Sequence, residues 1–381
     1  MTAATNPRRG FSHPTQGMAM NEATGSRNTT ASRPTGTAGN AASSPFRRVI
    51  GWLLRLGGIA LAALLLYLTI SRTDADLRGV LSSASPWPLL VAFALLGATH
   101  FLGAYRWIAL LHVQGVHIGY ALSLKLTIVG HFFCSVIPGA ASGDLLKMGY
   151  VLKYSQGRGT EAVLSIIIDR ILGLAGLIVI GTAASAYMLI RHHVLVFAQP
   201  LLALTIVIIF AGAAGLALLY AVLLLRARLM RWRPCATLAS WSARRLPTAI
   251  VAIFNKLATG LDLYRAQPIV LLNALGISVV VHFILGVALF CIGRACLEAH
   301  MAFIHYLLST QISNVSALIP LTPGGIGMRD AVTAALFTAF NATPANVVGT
   351  IPVINSLLTL CWAAIGAAIL TLSPHFRNRQ L

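Results

Sequence analysis

The stretch Leu318-Ile319-Pro320-Leu321-Thr322-Pro323-Gly324-Gly325-Ile326-Gly327-Met328-Arg329-Asp330 decides the fold. Each proline lacks an amide hydrogen and fixes φ, so a helix arriving from the N-terminal side ends here. Three glycines then open backbone conformations that other residues avoid. A helix restarting after Gly327 carries Arg329 and Asp330 in its first turn. Apolar runs flank the turn on both sides, at 301–320 and 347–372.

The rest of the chain says what surrounds that turn. Of 381 residues, 57% are hydrophobic and 10% are charged, with a mean hydropathy of +0.79. Ordinary soluble domains carry about 25% charged residues. These figures exclude a soluble globular enzyme, a disulfide scaffold and a disordered chain. Apolar runs recur at 49–70, 88–111, 118–138, 162–190, 200–225, 268–294, 301–320 and 347–372. Each approaches the roughly 20 residues that cross about 30 Å of hydrocarbon. Two shorter stretches, 139–156 and 321–340, are interrupted by Pro and Gly, and 249–265 is weakly amphipathic. The fold class expected is all-α, a polytopic transmembrane helical bundle. Residues 1–45 are polar with scattered Arg and no apolar period, so they read as a disordered basic tail. The membrane domain occupies 46–374, and 375–381 is a short basic tail. No apolar segment precedes Val49, so no cleaved leader is expected.

The net charge of +19 would suggest nucleic acid in a soluble protein. Here the basic residues lie between apolar runs, so anionic lipid headgroups are the expected counter-charge and nucleic acid is not. Arg8, Arg9, Arg27, Arg33, Arg47 and Arg48 place the N-terminal tail inside, and Arg226, Arg228, Arg231, Arg233, Arg244 and Arg245 do the same for the loop 226–248. If all eight runs crossed once, that loop would fall outside. The conflict disappears when 118–156 is a hairpin that enters and leaves on the inner side. By the same parity, 301–340 is a hairpin from the outer side, and Arg377 and Arg379 end inside. The expectation is a multi-pass protein of a bacterial-type inner membrane with both termini cytoplasmic.

The two hairpins read alike. Val136-Ile137-Pro138-Gly139-Ala140-Ala141-Ser142-Gly143-Asp144 runs apolar–Ile–Pro, then small residues, then an acid, as does the opening stretch. Interrupted segments in matching positions that enter from opposite faces form an inverted repeat, with a site near the midplane. The alternative is two unrelated Pro/Gly kinks. Pro138, Gly139, Gly143, Pro320 and Pro323 are the expected hairpin turns.

Ionisable residues inside apolar segments are costly, which marks them for function. The acids are Asp144, Asp169 and Asp330; the bases are Arg106, Lys125, Lys147, Arg170, Arg294 and Arg329. Asp169 and Arg170 point about 100° apart on a helix, so each needs another partner, and the hairpins offer them. The charge network expected is Asp144, Asp169, Arg170 and Asp330, read either as structural ion pairs or as a gate. Gly324, Gly325 and Gly327 could bring amide N–H groups together at a helix N-terminus, with Arg329 adding a full charge, to bind phosphate. Arg106 and Lys147 join that list of substrate contacts. Arg106-Trp107 also suits an interfacial anchor in the headgroup belt. His100, His131 and His282 read as packing residues within spans. Five cysteines, Cys134, Cys235, Cys291, Cys296 and Cys361, form no metal-ligand spacing, and no cofactor or metal is expected. Asp74 and Asp76 lie in an outer loop between Arg72 and Arg78, where a solvated loop competes with a metal-holding pair.

On these residues the chain resembles the membrane domain of lysylphosphatidylglycerol synthase/flippase proteins, also found alone as flippase-like membrane proteins. The matching landmarks are Arg106-Trp107 with Leu110-Leu111 and Gly115; Pro138-Gly139 with Ser142-Gly143-Asp144; Asp169-Arg170; and Pro320-x-x-Pro323-Gly324-Gly325-x-Gly327-x-Arg329-Asp330. Ser142 stands where the family pattern has Gly, and Asp330 where it has Glu. The resemblance implies a polytopic fold with re-entrant helices and a role in moving or presenting a phospholipid or glycolipid. The family's soluble aminoacyltransferase domain has no counterpart after residue 225, so aminoacyl transfer is not expected of this chain. A membrane-embedded transferase using Asp74, Asp76 or Asp144, and a non-catalytic partner of a separate lipid synthase, are the rival readings.

Overall fold

The computed structural model describes residues 64, 67, 77–137, 142–154, 158–229, 259–298, 300–341 and 345–373. Their elements are helices, in the order α1 (Leu77–Ser83), α2 (Pro86–Val113), α3 (Tyr120–Val136), α4 (Ser142–Tyr154), α5 (Gly159–Arg191), α6 (His193–Ala198), α7 (Pro200–Leu229), α8 (Pro268–Ala295), α9 (Phe303–Ser316), α10 (Met328–Ala339) and α11 (Ala345–Leu372). The stretch 259–266 is also helical. Prolines open α2, α7 and α8, where the missing amide hydrogen costs nothing.

Five helices are long and apolar enough to cross a membrane: α2, α5, α8, and the segments Pro200–Leu218 of α7 and Val347–Leu372 of α11. They coincide with the apolar runs read as full crossings, apart from 49–70, which lies outside the described residues. The pieces read as hairpin arms are shorter: α3, α4, α9 and α10 have 17, 13, 14 and 12 residues. At 1.5 Å per residue each reaches roughly 18–26 Å, less than the hydrocarbon thickness. The protein is a polytopic helical bundle. One boundary differs from the charge reading, since α7 runs on to Leu229, past the expected loop start at 226. Arginine and leucine are strong helix formers, so the basic residues there do not end it.

Helix α8 lies along α2 and also packs on α5 and α9; α3 packs on α4 and α11; α10 bridges α9 and α11. The main core joins α5, α7, α8, α9, α10 and α11 through Leu177, Leu202, Leu289, Tyr306, Phe337 and Ile351, all buried. Trp87, Leu90, Val207, Ile269 and Leu272 point outward and exposed. Such apolar outer faces suit lipid and not water. The short pairs α3–α4 and α9–α10 are thereby held inside a frame of long helices.

Candidate functional site

Each short pair closes tightly. In the first, α3 and α4 approach so closely that a Cβ on Gly143 would lie against the Gly130 carbonyl, 2.8 Å from its carbon. Glycine is therefore required by the crossing of two backbones. The Ser142 hydroxyl has one hydrogen to share between the carbonyls of Ile137 (3.4 Å) and Phe133 (3.2 Å), the latter also accepting from the Ile137 N–H at 2.9 Å. The departure from Gly at this position thus adds a hydrogen-bond donor at the C-terminal end of α3. Pro138 and Gly139, expected at the turn itself, lie outside the described residues, as do Asp74 and Asp76.

In the second pair, Gly324, Gly325 and Gly327 have φ of +59°, +73° and +79°, the left-handed region. Their amides are largely committed within the turn. The Gly325 N–H donates to the Thr322 carbonyl (3.2 Å), and the Gly327 N–H donates to Asp330 Oδ2 (2.9 Å). The other Asp330 oxygen accepts from the Ser356 hydroxyl at 2.7 Å. Asp330 therefore caps α10 and ties it to α11, where its charge also favours the helix N-terminus. The shorter Asp side chain reaches both partners. It forms no ion pair among the described residues, so it stands apart from the other charges grouped with it by sequence.

The two pairs meet. A Cβ at Gly324 would sit 3.4 Å from Ser135 Cα and 3.5 Å from the Cys134 carbonyl oxygen, so the second turn rests on the last residues of α3. Beside this contact opens a cavity of about 520 Å³, lined by both pairs and by α2, α5 and α8. Its charged lining comprises Arg106, Lys147, Arg170, Arg329, Asp144 and Asp169, four bases against two acids.

Two of the bases are neutralised. Arg106 Nε donates to Asp169 Oδ1 at 2.7 Å, and Arg106 Nη1 donates to the Ser278 hydroxyl at 2.7 Å. Arg170 pairs with Asp144, which sits in the first turn of α4. The sequence required separate partners for Asp169 and Arg170. Hairpin residue Asp144 answers for Arg170, but Asp169 is met by α2. The expected headgroup-belt role for Trp107 does not hold, because its ring is fully buried with Lys147 Nζ 4.8 Å from its centroid. That distance is cation–π range.

The other two bases have no carboxylate partner among the described residues. Lys147 and Arg329 make no ion pair among the described residues. Arg329 goes further, since its Nε is buried without a hydrogen-bond acceptor. A buried cationic donor left in this state is costly, and an anion in the cavity would satisfy it.

A smaller chamber of about 210 Å³ adjoins the first, lined among others by Thr310, Asn314, Thr333, Asn355 and Thr359. His100, His131, Asn314, Arg329 and Thr359 line both. Arg329 therefore stands at the junction. His100 and His131 face each other with ring centroids 4.7 Å apart, and His131 Nε2 lies 3.2 Å from the Thr359 carbonyl oxygen. His282 lines the larger cavity.

Of the residues singled out in the sequence, Arg106, Asp144, Lys147, Asp169, Arg170, Gly324 and Arg329 line one cavity, whereas Gly325, Gly327 and Asp330 are not in its lining. Sequence reasoning missed the neutral polar lining. A signal existed: Thr310 and Asn314, and again Asn355 and Thr359, recur at i and i+4 within otherwise apolar helices. It also missed Glu298, fully buried at the α8–α9 turn, which accepts from the His300 and Met301 amides (2.8 and 2.9 Å) and the Tyr306 hydroxyl (2.6 Å). That acid secures a corner remote from the cavity.

Long apolar helices framing short paired ones around a charged internal cavity define a polytopic integral membrane protein. Residues 55–368 match the family described as the lysylphosphatidylglycerol synthase TM region, and the chain belongs to that family. No curated protein matches the chain.

Proposed function

We propose that this protein is a lipid translocase of the cell inner membrane, whose cavity receives an anionic phospholipid or glycolipid headgroup. The two short pairs act as re-entrant hairpins from opposite faces, forming an inverted repeat around the site. Both termini lie in the cytoplasm on this reading. The observation that carries it is Arg329, a buried arginine with an unsatisfied Nε and no carboxylate partner among the described residues, facing a cavity with two surplus cations. Lipid phosphate supplies the missing acceptor with the planar geometry that arginine favours. The Arg106–Asp169 and Arg170–Asp144 pairs hold the cavity walls and exchange partners as the walls move. Asp144 is engaged by Arg170, which gives a transferase no free carboxylate there.

The test is translocation of a fluorescent phosphatidylglycerol analogue in liposomes, run beside a melting curve. Arg329→Gln should slow translocation roughly tenfold, equivalent to about 1.4 kcal/mol. Its melting temperature should stay unchanged, because no buried carboxylate is left stranded. Arg329→Lys keeps the charge without the fork and should fall between. Normal translocation by Arg329→Gln would refute the reading.

A further inference from the structure

The smaller chamber differs in chemistry from the larger one. Arg329 and Asp330 are the charged residues of its lining, and Asp330 already accepts from Gly327 and Ser356. The remaining polar lining consists of hydroxyls, amides and the two histidines. Three of these neutral groups lack protein partners. Asn314 Nδ2 is buried without an acceptor. The Thr333 hydroxyl and the Asn355 side-chain amide make no hydrogen bond among the described residues, although both line the chamber. Thr310, Ser313 and Thr359 donate to carbonyls of their own helices at 2.8 Å each, so their oxygens are free to accept. A wall offering amide donors beside hydroxyl acceptors matches groups that both give and receive hydrogen bonds. Hydroxyl groups are the simplest of that kind. Buried polar walls of this type discriminate strongly against ligands that leave them unpaired.

Size narrows the ligand. About 210 Å³ is the share of roughly seven water molecules. That suits a glycerol unit. Position fixes its attachment, because Arg329 and Asn314 line both chambers. A phosphate at the junction leaves the next group of the headgroup inside the smaller chamber.

Resting on the translocase reading, we propose that the smaller chamber is a subsite for the uncharged polyhydroxyl part of a phospholipid headgroup, a glycerol unit. Arg329 holds its phosphate at the junction. Thr333, Asn314 and Asn355 determine specificity for the polyol.

Binding to the purified full chain in detergent tests this, with four probes: phosphatidylglycerol, phosphatidic acid, phosphatidylethanolamine and water-soluble glycerol phosphate. Phosphatidylglycerol should bind about tenfold more tightly than phosphatidic acid, which has the phosphate without the polyol. Thr333→Val and Asn355→Leu, checked for unchanged melting, should abolish that preference while leaving phosphatidic acid binding intact. Arg329→Gln should weaken both anionic lipids together. Equal binding of the two anionic lipids, with both lost in Arg329→Gln, would overturn the polyol subsite and leave the phosphate reading standing. Anionic lipid binding unaffected by Arg329→Gln would overturn the phosphate reading itself. Tighter binding of phosphatidylethanolamine would overturn the subsite in favour of an ammonium-bearing headgroup. Glycerol phosphate binding as tightly as phosphatidylglycerol would overturn the lipid as the source of the polyol.

Discussion

Arg106 and Arg329 are both arginines on the same cavity, yet their environments assign them different work. Arg106 is paired, with its side chain and that of Asp169 only 11% and 12% exposed. Removing one member of such a pair strands the other charge, at a cost of about 3–5 kcal/mol. Asp169→Asn should therefore lower the melting temperature in detergent sharply. Replacing both partners, as Arg106→Met with Asp169→Leu, should recover most of it, and a double variant no more stable than the single would show that the pair is not the cause. Arg329→Gln should behave oppositely, sparing stability and slowing transport. Sequence alone identified these residues through their charge in apolar segments. It did not identify their partners, because Arg106 and Asp169 are 63 positions apart and helical periodicity gives a face without naming the helix opposite. Trp107 was misplaced for the same reason: its spacing near a helix end suited an interface, and only the packing of α3, α4 and α5 around it buries it.

At the scale of elements, the short pairs depend on backbone approach more than on side-chain packing. Gly143 and Gly149 share α4, but a Cβ on Gly149 meets nothing within 4 Å, whereas one on Gly143 meets the Gly130 backbone. Gly149→Ala should stabilise the protein by about 1 kcal/mol through helix propensity. Gly143→Ala should destabilise it and impair translocation, because α3 and α4 must separate. Thermal melts of the two variants side by side check this contrast, and equal effects would mean that the crossing is looser than described. In the second pair, Asp330→Ala removes the acceptor of two hydrogen bonds, from Gly327 and Ser356. With a charged acceptor the loss should be about 2–3 kcal/mol, read as a lower melting temperature. The two hairpin motifs looked equivalent in sequence, each ending small residues with an acid. Their acids nonetheless serve differently, Asp144 pairing with Arg170 across to α5 and Asp330 capping its own helix. A carboxylate one residue after a glycine and one three residues after it face different groups, a distinction of register that composition hides. The neutral lining at Asn314, Thr333 and Asn355 escaped because hydropathy reads isolated Thr and Asn as noise within an apolar run.

For the whole molecule, the helix lengths and the charge distribution bear on one topology. The N-terminal tail and the loop 226–248 hold twelve of the 28 Lys and Arg residues. On the proposed topology, in which α3–α4 and α9–α10 each return to the face they entered, that loop and both termini share the cytoplasmic side. A single cysteine introduced at Ser240 in a variant freed of its native cysteines should resist a membrane-impermeant maleimide in intact cells and react once they are opened. Labelling in intact cells would reverse the hairpin assignment. The most direct measurement of the central claim is an experimental density map of the protein in bilayer nanodiscs containing phosphatidylglycerol. The account predicts phosphate density within hydrogen-bonding reach of the Arg329 guanidinium, roughly 2.7–3.2 Å, beside the contact of the second turn with the end of α3. A cavity filled by water or acyl chain, with Arg329 turned onto a protein carboxylate, would contradict it.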